Sequence, residues 1–160
     1  MAAAAWMFSI ACSRETPEQA MAAAEAAAQA AATDSTSLNL AAERFGDFLE
    51  RYPRHESAPK ALRMLAMITQ QEGDMRGAIG HYERLLEKYG SSEYADDAQF
   101  MVGFISEEYL DDYARARESY RLVIDRYPDS ELAASARRLL PNVGKAPEEW
   151  VKFQEGASSP

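Results

Sequence analysis

The sequence contains few of the residues that support redox chemistry or metal binding. Among its 160 residues there are one cysteine, Cys12, and two histidines, His55 and His81. One cysteine cannot form an intramolecular disulfide, and neither histidine has a second ligand at the spacing that metal sites use. The eight glycines are scattered, and none belongs to a phosphate-binding loop that ends in Lys-Ser or Lys-Thr. We therefore predict that the protein is not an enzyme and has no catalytic residue, cofactor or metal site.

Positive charge is also scarce. Seventeen Lys and Arg residues stand against 26 Asp and Glu residues, and the formal net charge is −9 at pH 7. The densest basic cluster, Arg137 and Arg138, lies among small and acidic residues. A chain of this charge is repelled by phosphate backbones. We expect protein partners and no nucleic acid, and the oligomeric state stays open.

Long hydrophobic runs are missing as well. The apolar run over residues 1–11 is too short for a membrane-spanning helix, which needs about 20 residues. It has the length of the apolar core of a signal peptide, and Ser9-Ile10-Ala11-Cys12 resembles a bacterial lipobox, although no basic residue precedes the run. We predict a lipoprotein signal over residues 1–12 with lipidation at Cys12. The residue after Cys12 is Ser13, and in the bacterial sorting rule this favours a periplasmic protein anchored to the outer membrane. The alternative is a cytoplasmic protein whose apolar N-terminus packs on its own domain.

The next segment, residues 13–37, is rich in alanine. Alanine has the highest helix propensity, so a helix is predicted over residues 18–32. Met21 is its only large apolar side chain. Two interpretations stay open: a semi-rigid spacer between a membrane and the domain, or the first helix of a first hairpin.

A repeat begins after this segment. Tyr52, Tyr89 and Tyr127 recur 37 and 38 residues apart, and each ends a stretch whose apolar residues follow helical spacing. Pro53 and Pro128 stop two of these helices, because proline lacks the backbone N–H and clashes with the preceding turn. Asp74 and Asp112 suit the N-caps of the helices that end at Tyr89 and Tyr127, and Ser92 and Ser130 suit the N-caps of the helices that follow them. The pattern predicts an all-α fold, a short right-handed solenoid of helical hairpins over residues 38–140. Residues 141–160 are predicted to form a tail with a short capping helix.

Fixed positions inside the repeat identify its kind. A small residue is followed by an aromatic residue four positions later and by Pro or Gly twelve positions later, in the sets Ala41, Phe45, Pro53; Ala78, Tyr82, Gly90; and Ala116, Tyr120, Pro128. This register resembles the tetratricopeptide repeat. The loop motif that starts at Tyr127-Pro128 is similar to that of bacterial outer-membrane and periplasmic repeat lipoproteins of the BamD-like and YbgF-like kinds. The resemblance implies a non-enzymatic scaffold in the cell envelope that binds other envelope proteins or peptides.

The same resemblance implies where a peptide would bind. Tetratricopeptide stacks present a groove built from the first helix of each hairpin. The facing positions carried over from the family are Arg63, Met67, Gln70, Gln71, Phe100, Phe104, Glu107 and Glu108. Methionine and aromatic side chains at such positions are typical interface anchors. The alternative for Phe100, Phe104 and Met67 is packing against the neighbouring repeat.

Overall fold

The computed structural model describes residues 15–31 and 36–145. These ranges contain helices and no strand, so the predicted all-α fold class is confirmed. The helices are α1 (Pro17–Ala30), α2 (Thr36–Arg51), α3 (Ala58–Gln71), α4 (Met75–Tyr89), α5 (Ala95–Glu108), α6 (Tyr113–Arg126) and α7 (Glu131–Leu139), followed by a short 3-10 helix (Leu140–Asn142). The predicted lipidation site at Cys12 and the predicted capping helix after residue 146 lie outside the described ranges.

Consecutive helices pack against each other along the chain. The pairs α1–α2, α3–α4 and α5–α6 form antiparallel hairpins, and α2–α3, α4–α5 and α6–α7 join one hairpin to the next. Each helix buries apolar residues against the helices that it contacts, as expected for an amphipathic helix in a stack. The predicted α-solenoid of helical hairpins is therefore confirmed.

Local capping explains where most helices begin. The carboxylates of Asp74 and Asp112 accept hydrogen bonds from the N–H groups of Gly77 and Arg115, and these predicted caps are confirmed. The Ser130 hydroxyl accepts from the N–H of Leu132. The predicted cap at Ser92 is wrong, because a turn intervenes and α5 begins only at Ala95.

The alanine-rich helix α1 packs as the first helix of a hairpin. Its side chains Ala20, Met21, Ala24 and Ala27 are buried, and α2 is the helix that it contacts most. Thr16 begins α1 with a reciprocal pair of hydrogen bonds to Gln19. Of the two interpretations of this segment, the packing matches the hairpin. The outer limits of the domain stay a prediction.

Each of the three loop tyrosines ties the end of a hairpin to the segment that precedes the same hairpin. The Tyr52 hydroxyl donates to the carbonyl of Glu15 over 2.6 Å, and the Tyr89 hydroxyl donates to the carbonyl of Pro53 over 2.7 Å. Tyr127 repeats this contact with the carbonyl of Gly90 over 3.4 Å. A hydrogen bond of the same type thus joins the two ends of all three hairpins, which agrees with the tyrosine period in the sequence.

The small residues of the repeat lie where helices approach closely. Ala78 and Ala116 are fully buried. A Cβ atom on Gly103 would lie 2.9 Å from ring atoms of Tyr120, closer than side chains normally pack. The α5–α6 hairpin therefore needs glycine at this position, where the α3–α4 hairpin has Ala66.

Candidate functional site

A surface depression of about 400 Å³ lies between α3 and α5, with α4 beneath it. We call it the α3–α5 depression. Its lining residues are Arg63, Met67, Gln70 and Gln71 from α3, Met75 and Tyr82 from α4, Asp97 and Met101 from α5, and Tyr109 at the end of α5. All four groove residues predicted on α3 therefore meet at one place, although their role in binding stays a prediction.

The apolar part of the depression is open to solvent. Met67 and Tyr109 keep 42% and 51% of their surface exposed, and they are two of the four large hydrophobic residues of the described chain that are this exposed. Met101 and Met75 lie beside them, half-buried. Methionine adapts its shape to a partner and has a polarisable sulfur, so this cluster suits contact with an apolar side chain.

An ion pair closes one side of the depression. The Arg63 guanidinium donates to the Asp97 carboxylate, and both side chains are about 30% exposed. The guanidinium carbon also lies 5.8 Å from the centre of the Tyr94 ring. The pair holds α3 against α5.

Tyr82 supplies a buried polar group to the depression. The residue is 1% exposed, and its hydroxyl makes no hydrogen bond with any residue in the described part of the chain. Burial raises the pKa of Tyr82 to about 12, and the negative charge of Asp97 acts in the same direction. The hydroxyl is therefore protonated at neutral pH and can donate a hydrogen bond.

The groove residues predicted on α5 lie outside the depression. The Phe100 ring packs on Tyr120 with ring centres 5.4 Å apart, and Phe104 lies 6.2 Å from Tyr109. Both rings are half-buried, and these ring contacts lie within the second repeat, whereas the alternative left open for them was packing against the neighbouring repeat. Glu107 accepts hydrogen bonds from the Tyr120 hydroxyl and the N–H of Gly144. Glu108 is exposed.

The comparison with known families agrees with this geometry. Residues 60–92 and 97–130 match the family model of the tetratricopeptide repeat. These two segments are tetratricopeptide repeats. A search of curated proteins found no match. The first repeat contains nearly all of α3 and α4, the second contains α5 and α6, and the α3–α5 depression lies between them.

Five residues that line this site between tetratricopeptide repeats were not predicted from the sequence: Met75, Tyr82, Asp97, Met101 and Tyr109. The family's facing positions lie on one stripe of each first helix, and a depression between two helices also exposes the neighbouring stripe of α5. One signal was available. Asp97 and Met101 are one helical turn apart, so both can face α3.

The described ranges contain neither a cluster of metal-binding side chains nor a membrane-spanning helix. Among residues 15–31 and 36–145, no three His, Cys, Asp or Glu side chains lie close enough together to hold a metal ion. None of the helices there is long and apolar enough to cross a membrane.

Proposed function

We propose that this protein is a non-enzymatic scaffold that binds a segment of a partner protein, with the α3–α5 depression as the anchor point. The observation that carries the proposal is the convergence of Met67, Met101 and Tyr109 at an open site between two tetratricopeptide repeats. A core packed only for stability would bury these side chains.

The surroundings of the depression support the same role. The first helices of successive hairpins are joined by polar contacts, Glu25 with Lys60 and Arg63 with Asp97. Before a partner binds, these contacts already hold the first helices in the positions that form the binding face. A preordered site loses less conformational entropy on binding than a mobile one.

Photo-crosslinking tests the position of the site. A photoreactive amino acid would replace Met67 in one variant and Glu87, an exposed residue of α4, in a matched control. We expect a crosslinked partner only from the Met67 position. Identical crosslinks from both positions would contradict the proposal, since they would report collisions with the whole surface.

We propose further that the scaffold works in the bacterial cell envelope, in assembly or coordination of envelope proteins. The support is sequence-based: Cys12 follows an apolar run and resembles a lipobox cysteine, and the loop motif is similar to that of BamD-like and YbgF-like lipoproteins. A lipid on Cys12 would hold α1 close to the membrane, because five residues of chain reach at most about 18 Å. The alternative is a cytoplasmic adaptor without an anchor.

Metabolic labelling separates the two locations. Cells that express the full chain would receive a palmitate analogue, with Cys12→Ser as the control. We expect label in the membrane fraction that the substitution abolishes. An unlabelled wild-type protein in the cytoplasm would contradict the lipoprotein proposal and leave the scaffold proposal intact.

A further inference from the structure

Two tyrosines occupy equivalent buried positions in the two repeats, and only one of them has an acceptor. The Tyr120 hydroxyl donates to the Glu107 carboxylate over 3.0 Å. The residue of the first repeat that corresponds to Glu107 is Gln70, and among the described residues neither Gln70 nor any other accepts from the Tyr82 hydroxyl. Tyr82 lines the depression, so its hydroxyl can donate to an acceptor that a ligand supplies.

The sequence neighbours of the lining residues Gln71, Tyr109 and Met75 are exposed and charged: Glu72 and Glu108 are acidic, and Arg76 is basic. The two cations of α3, Lys60 and Arg63, are each paired with a carboxylate of a neighbouring helix. At the C-terminal ends of α3 and α5, Glu72 and Glu108 are exposed, and neither forms an ion pair within the described ranges. The C-termini of both helices add partial negative charge there.

We propose that the α3–α5 depression binds a protein segment that carries an unbranched or γ-branched apolar side chain and a nearby lysine or arginine. This inference rests on the proposed function, whose binding partner it describes. The apolar side chain lies against Met67, Met101 and Tyr109, and a carbonyl oxygen of the segment accepts from the Tyr82 hydroxyl. The basic side chain lies at Glu72 and Glu108.

The spacing between the apolar side chain and the basic side chain of the bound segment follows from helix geometry. Met101 and Glu108 are seven residues apart on α5, which corresponds to a rise of about 10 Å. An extended segment covers that length in about three residues. The basic residue therefore stands about three positions from the apolar anchor.

Peptide selection tests this chemistry without a known partner. The full chain would be immobilised and used to select from a phage library of random dodecapeptides. We expect enriched peptides that combine leucine or methionine with lysine or arginine about three positions away. The strongest peptide would be synthesised with a fluorescent label for measurements of its dissociation constant by anisotropy.

Variants then assign each contact. Tyr82→Phe removes the hydroxyl without removing a hydrogen bond inside the protein, and we expect about tenfold weaker binding with an unchanged unfolding midpoint. Glu108→Gln should weaken the basic peptide several-fold and leave its Lys→Gln or Arg→Gln version unaffected.

The outcomes separate this inference from the proposed function. Enriched peptides without a basic residue, or peptides that bind Tyr82→Phe and Glu108→Gln as tightly as wild type, would overturn the inference and leave the scaffold function standing. No enrichment over an unrelated immobilised protein would contradict the scaffold function itself.

Discussion

The two tetratricopeptide repeats share one fold and differ in the side chains at equivalent positions and in the contacts that these side chains make. In the second repeat, Phe100 packs on Tyr120 and Glu107 accepts the Tyr120 hydroxyl. In the first repeat, the positions of Phe100 and Glu107 are occupied by Arg63 and Gln70, and the Tyr82 hydroxyl has no acceptor within the described ranges. The Tyr120 hydroxyl thus has an acceptor inside the second repeat, whereas the Tyr82 hydroxyl of the first repeat lines the depression between the two repeats. The two repeats thus share a framework of helices and differ at two positions of their first helices, where Arg63 and Gln70 stand in place of Phe100 and Glu107.

The largest expected effect tests the shared framework. Tyr82→Ala and Tyr120→Ala should each lower the free energy of unfolding by about 3–5 kcal/mol, because both rings are fully buried between helices. Urea denaturation followed by circular dichroism measures the loss. A small loss for either variant would show that its ring is not part of the core, and the comparison of the two repeats would fail.

A smaller loss of stability is expected from a substitution at Gly103, where α5 approaches the Tyr120 ring closely. Gly103→Ala should lower the free energy of unfolding by about 1–2 kcal/mol, since overpacking against the Tyr120 ring outweighs the gain in helix propensity. The matched exchange in the first repeat is Ala66→Gly, which should cost about 1 kcal/mol through lost propensity. A stabilising Gly103→Ala would contradict the packing of α5 on α6.

Removal of one tyrosine hydroxyl from each repeat tests whether that hydroxyl has a hydrogen-bond acceptor inside the protein. Tyr120→Phe should lower the free energy of unfolding by about 1 kcal/mol, because it deletes the hydrogen bond to Glu107. Tyr82→Phe should leave stability unchanged within about 0.5 kcal/mol or raise it, since no hydrogen bond within the described chain is lost. Equal losses for both variants would show that the Tyr82 hydroxyl already has an acceptor.

The smallest expected effect is a dependence on pH. Burial raises the pKa of Tyr82 to about 12, above the value of about 10 in an unfolded chain. The unfolded state therefore loses its proton first, and the stability that Tyr82 contributes below pH 10 declines as pH rises towards 12. Between about pH 9 and 10.5, the loss of unfolding free energy should be smaller in Tyr82→Phe than in wild type, by less than about 1 kcal/mol. Identical losses would show that Tyr82 ionises as it does in the unfolded chain.

The framework could be predicted from the sequence because backbone register and capping are local. The period of Tyr52, Tyr89 and Tyr127 placed the second helices, and Asp74 and Asp112 marked helix starts correctly. The exception, Ser92, shows the limit: a serine suits an N-cap, but the turn that follows it delays α5.

The groove could be predicted only in part. Its α3 residues followed from the family register, which is a property of one helix. The contact of Phe100 depends on Tyr120 of the neighbouring helix α6, which the spacing of residues on α5 does not specify. The role of α1 was equally undetermined, because alanine is compatible with both an exposed spacer and a tightly packed helix.

The most direct test of the central claim compares two exposed apolar surfaces. Met67 and Tyr109 belong to the α3–α5 depression, whereas Leu40, also 42% exposed, lies on α2 away from it. The dissociation constant of a selected peptide would be measured for Met67→Ala/Tyr109→Ala and for Leu40→Ala. We predict at least about tenfold weaker binding for the double variant and unchanged binding for Leu40→Ala. Equal affinities for wild type and the double variant would contradict the claim that the α3–α5 depression is where this scaffold holds its partner.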